Sequence, residues 1–160
     1  MKTILEIFYL RIVGKRVRYQ RKEVNLSRKG SDPDTLIWSH IRQARHDPAA
    51  QEQEFIVHST SWRYERSGKV ILTYAAYSDE LTFEKGKAKS FALKNLRTVK
   101  KQTRKPSSRA ELEKKVVSHA LRHIAFLIKT DDQIDFKSAM RPETLAAFEN
   151  IWESLAGKLF

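Results

Sequence analysis

A chain of 160 residues with 41% hydrophobic side chains carries enough apolar surface for one core, so a single domain over 1–160 is expected. Thirty-one Lys and Arg against 19 acidic residues give a formal charge of +12, which favours a polyanionic partner over a cationic one. The absence of cysteine excludes disulfides, thiolate nucleophiles, iron–sulfur clusters and cysteine zinc sites, and five Gly with four Pro exclude collagen-like or linker-dominated chains.

The opening run Thr3 to Val13 is apolar, but Glu6 and Arg11 interrupt it and no small-residue cleavage site follows, which argues against a secretory signal. No later stretch approaches the roughly 18 uncharged apolar residues of a membrane span. A cytoplasmic location without a membrane partner is therefore expected. Residues 1–30 are also Arg-rich and acid-poor like a transit peptide, although their strand-like alternation fits one badly.

Ile4, Ile7, Phe8, Tyr9, Ile12 and Val13 suit a strand, yet Leu5, Phe8, Tyr9 and Ile12 also have helical spacing, and periodicity alone does not decide. Gly14-Lys15 offers a turn into a second strand from Arg16 to Leu26, so that residues 1–30 read as a basic β-hairpin or as a partly mobile arm. Ser31 or Asp32 caps a helix with Pro33 at its first position, turning Leu36, Ile37 and Ile41 inward and ending near His46. The clearest strand signal is a hairpin, 54–64 and 69–78, around Glu65-Arg66-Ser67-Gly68. Pairing Tyr64 with Val70 places Ile56, His58, Thr60, Trp62 and Tyr64 on one face by strict alternation. A further strand is expected within Phe83 to Leu93. Ser107 or Ser108 then caps a helix from 108 to 129, its stripe formed by Val116, Val117, Ala120, Leu121, Ile124, Leu127 and Ile128. A terminal helix over 142–157 turns Leu145, Phe148, Ile151, Trp152 and Leu155 inward. The expected class is α+β: an antiparallel sheet with the 54–64/69–78 hairpin at its centre and the two C-terminal helices on one face.

Positive charge is concentrated in two stretches. Residues 1–31 hold nine Lys and Arg against two Glu, and residues 85–115 hold twelve against two. Brought onto one wall, these would focus a field on a phosphate backbone, which points to a non-enzymatic nucleic-acid-binding module, RNA favoured. Arg16, Arg18, Arg21 and Lys22 form the first candidate contact set, and Lys100, Lys101, Arg104 and Lys105 the second. The blander reading is that such residues keep a small protein soluble and guard sheet edges. Trp62, Tyr64 and Tyr74 near Arg63 suit either base stacking or a face covered by a helix. RNP, KH, C₂H₂ and glycine-loop phosphate motifs are absent.

The alternative is a small hydrolase or metal-dependent enzyme built on His58, His119 and His123. His119 and His123 stand four apart on one helix face, the spacing of H-E-x-x-H metal sites, but Ala120 occupies the position of the catalytic Glu. His58-Ser59-Thr60-Ser61 resembles one H-x-[ST]-x tetrapeptide of the two-histidine phosphoesterases. The likeness covers those four residues only, since Ala120-Leu121-Arg122 follows His119. Asp79 or Glu80 at the hairpin's end would complete such a site, and it needs the 108–129 helix to cross the Trp62 face. No resident cofactor is implied. A third reading is a scaffold for an acidic protein partner.

Overall fold

A strand with large apolar side chains at nearly every position must be covered on both faces, and this settles the opening segment as β1 (Lys2–Val13). The computed structural model describes residues 1–26, 32–44, 55–97, 108–136 and 140–156. β1 is followed by β2 (Arg16–Asn25), α1 (Pro33–Ala44), β3 (Ile56–Glu65), β4 (Lys69–Tyr77), β5 (Lys89–Ala92), a short 3₁₀ segment (Leu93–Arg97), α2 (Arg109–Thr130) and α3 (Pro142–Ala156). The five strands form one sheet in the order β3-β4-β1-β2-β5.

The α+β class holds, with two corrections to the sheet. It is mixed rather than antiparallel, because β1 runs parallel to β4, with Leu5 beside Leu72 and Ile7 beside Tyr74. The hairpin of β3 and β4 lies at one edge, and β1 occupies the centre. The physical reason is hydrophobic content. β1 buries Leu5, Ile7 and Tyr9 on one face and Phe8, Leu10 and Ile12 on the other, so it takes the place with most cover.

Both faces of the sheet carry helices. α1 lays Ile37 and Ile41 on Leu5, Ile7, Tyr9, Tyr74 and Ala76. Its entry is capped by Asp32, whose Oδ2 accepts from the Thr35 amide at 3.0 Å. On the opposite face α2 brings Val117, Ala120, Leu121 and Ile124, and α3 brings Phe148 and Ile151, onto Phe8, Leu10, Ala75 and Tyr77. Ser108 caps α2 by accepting from the Glu111 amide at 3.2 Å. The Gly14-Lys15 turn joins β1 to β2, with Val13 opposite Arg16 and Gly14 in the left-handed region at φ +58°. Among the described residues no helix is long and apolar enough to cross a membrane.

The ring of Phe148 stands edge-on to that of Tyr77, 5.3 Å between centroids, with no exposed surface. Phe148→Ala is expected to cost about 3–5 kcal/mol in urea unfolding, as for other large aromatic truncations in cores, with no loss of helix content before the cooperative transition.

Candidate nucleic-acid interface and histidine cluster

The first basic set is divided by the alternation of β2. Val17 and Tyr19 face α2 and α3, whereas Val24 packs on the α1 side, so Arg21 lies on the former face and Arg16, Arg18 and Lys22 on the latter. Arg16 donates to the Ser90 hydroxyl at 3.3 and 3.1 Å, and the Arg18 guanidinium lies 5.2 Å over the Phe83 ring. Both are exposed and neither is ion-paired to a described carboxylate. Lys22 stands close enough to His40 of α1 to disfavour its charged form, after the larger effect of burial. Lys100, Lys101, Arg104 and Lys105 lie outside the described residues, so their relation to the first set is not part of the geometry.

Arg21 has a different occupation. Glu6, only 2% exposed, projects from the middle of β1 toward the α2 side and needs compensating donors. Arg63 of β3 grips it twice, Nη1 to Oε1 at 2.8 Å and Nη2 to Oε2 at 3.0 Å. Arg21 of β2 donates from Nε at 2.6 Å, and the Thr73 hydroxyl of β4 donates at 3.0 Å. Arg21 also pairs with Glu23. Burial alone would raise the Glu6 pKa, but the hydrogen bonds and charges of Arg63 and then Arg21 hold it below the usual carboxylate range. Above this clamp, an open cavity of about 540 Å³ is rimmed by Lys69, Arg109, Glu23, Glu65 and Glu113, in which both signs of charge alternate. Sequence reasoning missed this group. Its only signal was a lone carboxylate in an apolar strand.

The three histidines converge. His58 meets His123 edge-on at 4.7 Å between ring centroids, and His123 meets His119 at 5.5 Å. His119 Nε2 donates to the Thr60 carbonyl at 3.3 Å. Nδ1 of His123 is buried without a partner. Burial first, and the adjacent imidazole second, push the pKa of His58 and of His123 below the ordinary histidine value, so both rings are neutral at pH 7. None of the three is hydrogen-bonded to a described carboxylate, and among the described residues no group of three or more His, Asp or Glu is arranged to hold a metal ion. Asp79 and Glu80 do not join them. Asp79 accepts from the Tyr77 hydroxyl at 2.8 Å, the Arg141 amide at 2.5 Å and the Thr144 hydroxyl at 2.9 Å, and so anchors the start of α3. Glu80 pairs with the Arg141 side chain.

The convergence depends on a β-bulge. The β3/β4 register shifts between Ser59 and Ser61, so His58 stands opposite Ala75 on the α2 face while Trp62 stands opposite Leu72 and Tyr64 opposite Val70 on the α1 face. This corrects the single-face alternation expected for β3: the helix crosses the His58 side, not the Trp62 side. It also leaves the two rings uncovered, Trp62 being 71% and Tyr64 62% exposed. Tyr74 is buried in the α1 cluster. At the same end of the sheet, Lys2 and Lys69 are neighbours across the β1/β4 ladder and face α2 with Glu6, on the side opposite Tyr64, while exposed Arg66 occupies the β3–β4 turn. None of these three cations forms an ion pair with a described carboxylate.

The Glu6 clamp sets a pH dependence. Its folded pKa lies below the unfolded one, so its stabilisation is complete above about pH 4.5 and is lost as pH falls through the folded value. Glu6→Gln is expected to cost about 3 kcal/mol in urea titrations at neutral pH, because two partly buried guanidinium groups lose the buried carboxylate they share, and to flatten the stability profile below that pH. No family model matches the chain, and no curated protein matches it.

Proposed function

We propose that the protein is a non-enzymatic module that binds single-stranded nucleic acid, with RNA favoured. The observation that carries this reading is the pair Trp62 and Tyr64, two residues apart on one face of an edge strand and both more than half exposed. Large aromatic side chains are normally buried, and an exposed pair has no packing role to explain it. Successive rings on a strand offer platforms for successive unpaired bases, the form in which RNA is chiefly read by sequence-binding proteins. Arg66, exposed in the turn that follows the pair, supplies a phosphate contact, and the +12 charge of the chain supplies long-range attraction. Arg16 and Arg18 are further exposed cations on the same face, on β2 next to the far edge strand β5.

Trp62→Ala and Tyr64→Ala are each expected to weaken binding of an oligouridylate by about 1–3 kcal/mol, the worth of one stacked base, with urea stability unchanged. Arg66→Glu is expected to reduce the salt slope of log K by about 0.7, the share of one phosphate contact for single strands. Absence of binding at low salt, or equal affinity of both aromatic variants and the wild type, would remove the reading.

A second reading, a small hydrolase, draws on the contact among His58, His119 and His123. Among the described residues no carboxylate is hydrogen-bonded to an imidazole to orient it, the usual partner in acid–base catalysis. Turnover of a phosphodiester such as bis(p-nitrophenyl) phosphate that disappears in His58→Ala and His123→Ala would favour it over binding alone.

A further inference from the structure

Thr60 is the residue that turns Trp62 and Tyr64 outward. Were Thr60 paired in regular alternation instead of bulged, the period from His58 would direct both rings to the α2 face. Two hydrogen bonds hold the bulge: the Thr60 hydroxyl donates to the Thr73 carbonyl at 3.3 Å, and the Thr60 carbonyl accepts from His119 at 3.3 Å. His119 in turn touches His123, which touches His58. The imidazoles thus lean on the bulge from one side of β3 while the aromatic pair stands on the other.

We propose that the three histidines are a proton-operated latch on the aromatic surface: charging adjacent rings drives His119 into solvent, frees the Thr60 carbonyl and loosens the bulge, so that single-stranded nucleic acid is held at neutral pH and released in acid. The inference rests on the reading of Trp62 and Tyr64 given above. Neutral imidazoles tolerate contact, whereas two cationic rings about 5 Å apart repel strongly in a partly dry setting. His58 and His123 are half-buried and His119 is exposed, so His119 is the ring with an open way out. Among the described residues no carboxylate is ion-paired with the three imidazoles to neutralise the added charge. α2 itself offers Lys115 one turn before His119, and Arg122, whose guanidinium donates to the Leu96 carbonyl. β4 places Ala75 opposite His58, α3 meets α2 through Trp152 on Phe126, and no described carboxylate is hydrogen-bonded to the cluster.

The test is the affinity of a fluorescein-labelled oligouridylate from pH about 7.5 to about 5.5, across the ordinary histidine pKa. Binding is expected to weaken about tenfold in acid, the loss of roughly one stacked base. General electrostatics predicts the opposite sign, because the protein becomes more cationic. His119→Gln keeps a donor for the Thr60 carbonyl but cannot charge, and its affinity is expected not to fall. Wild-type affinity that is flat or rises in acid, or an equal fall in His119→Gln, overturns the latch. In the free protein, the indole N–H resonance of Trp62, assigned through Trp62→Phe, is expected to move with histidine titration in the wild type and to stay fixed in His119→Gln. An unmoved resonance counts against the latch, whereas missing affinity at neutral pH counts against the nucleic-acid reading itself.

Discussion

The carboxylate of Glu6 is the one charge that the sheet buries at its centre, and the order of strands around it follows from what it requires. A buried carboxylate without partners is costly, so β2, β3 and β4 must each bring a donor to the same point: Arg21, Arg63 and Thr73. Those donors meet only if β1 lies between β2 and β4 in the observed register. A slip of one residue would turn Glu6 into the apolar cluster under α1 and would take its carboxylate away from both guanidinium groups. Hydrophobic burial explains why β1 is central. The clamp explains why it has a single register.

The irregularity at Thr60 divides labour between the two sides of β3. Toward α2 the strand places His58 against His123 of the helix, in surroundings that disfavour the charged form of both rings. Beyond the bulge the other side presents Trp62 and Tyr64 to water, past the part of the sheet that α1 covers. An edge strand ordinarily protects itself from pairing with other chains by charge or distortion. β3 has both, in its bulge and in Arg63, Glu65 and Arg66, and so can expose aromatic rings without offering a flat, pairing-competent edge.

Much of this architecture was legible in the residues. The Ser108 cap, the Val117-to-Ile124 stripe, the Asp32 entry to α1, the Gly14 turn and the pairing of Tyr64 with Val70 rest on local chemistry and were read correctly. What escaped depends on distant partners. The parallel contact of β1 with β4 has no local signature, since it joins segments separated by two strands and a helix. The bulge was invisible because Ser59, Thr60 and Ser61 are equally polar, and alternation gives no sign of a skipped position. Arg21 seemed free beside Arg16 and Arg18 because nothing nearby shows that its face of β2 meets a buried glutamate. The proximity of His58 to His119 and His123 was legible only as a condition, namely which face of β3 the helix covers.

The parallel pairing of β1 and β4 also bears on how the chain is made. β1 leaves the ribosome with seven consecutive buried residues, Ile4 to Leu10, and β2 can zip to one of its edges within a few residues. Its other edge must wait, as the contact from Thr73 to Glu6 spans 67 positions. During that interval the most apolar strand of the molecule shows an open row of backbone donors and acceptors to its surroundings, the situation in which nascent chains stick to one another or engage a chaperone. The arrival of the β3–β4 hairpin closes that row and brings Arg63 and Thr73 to the carboxylate together.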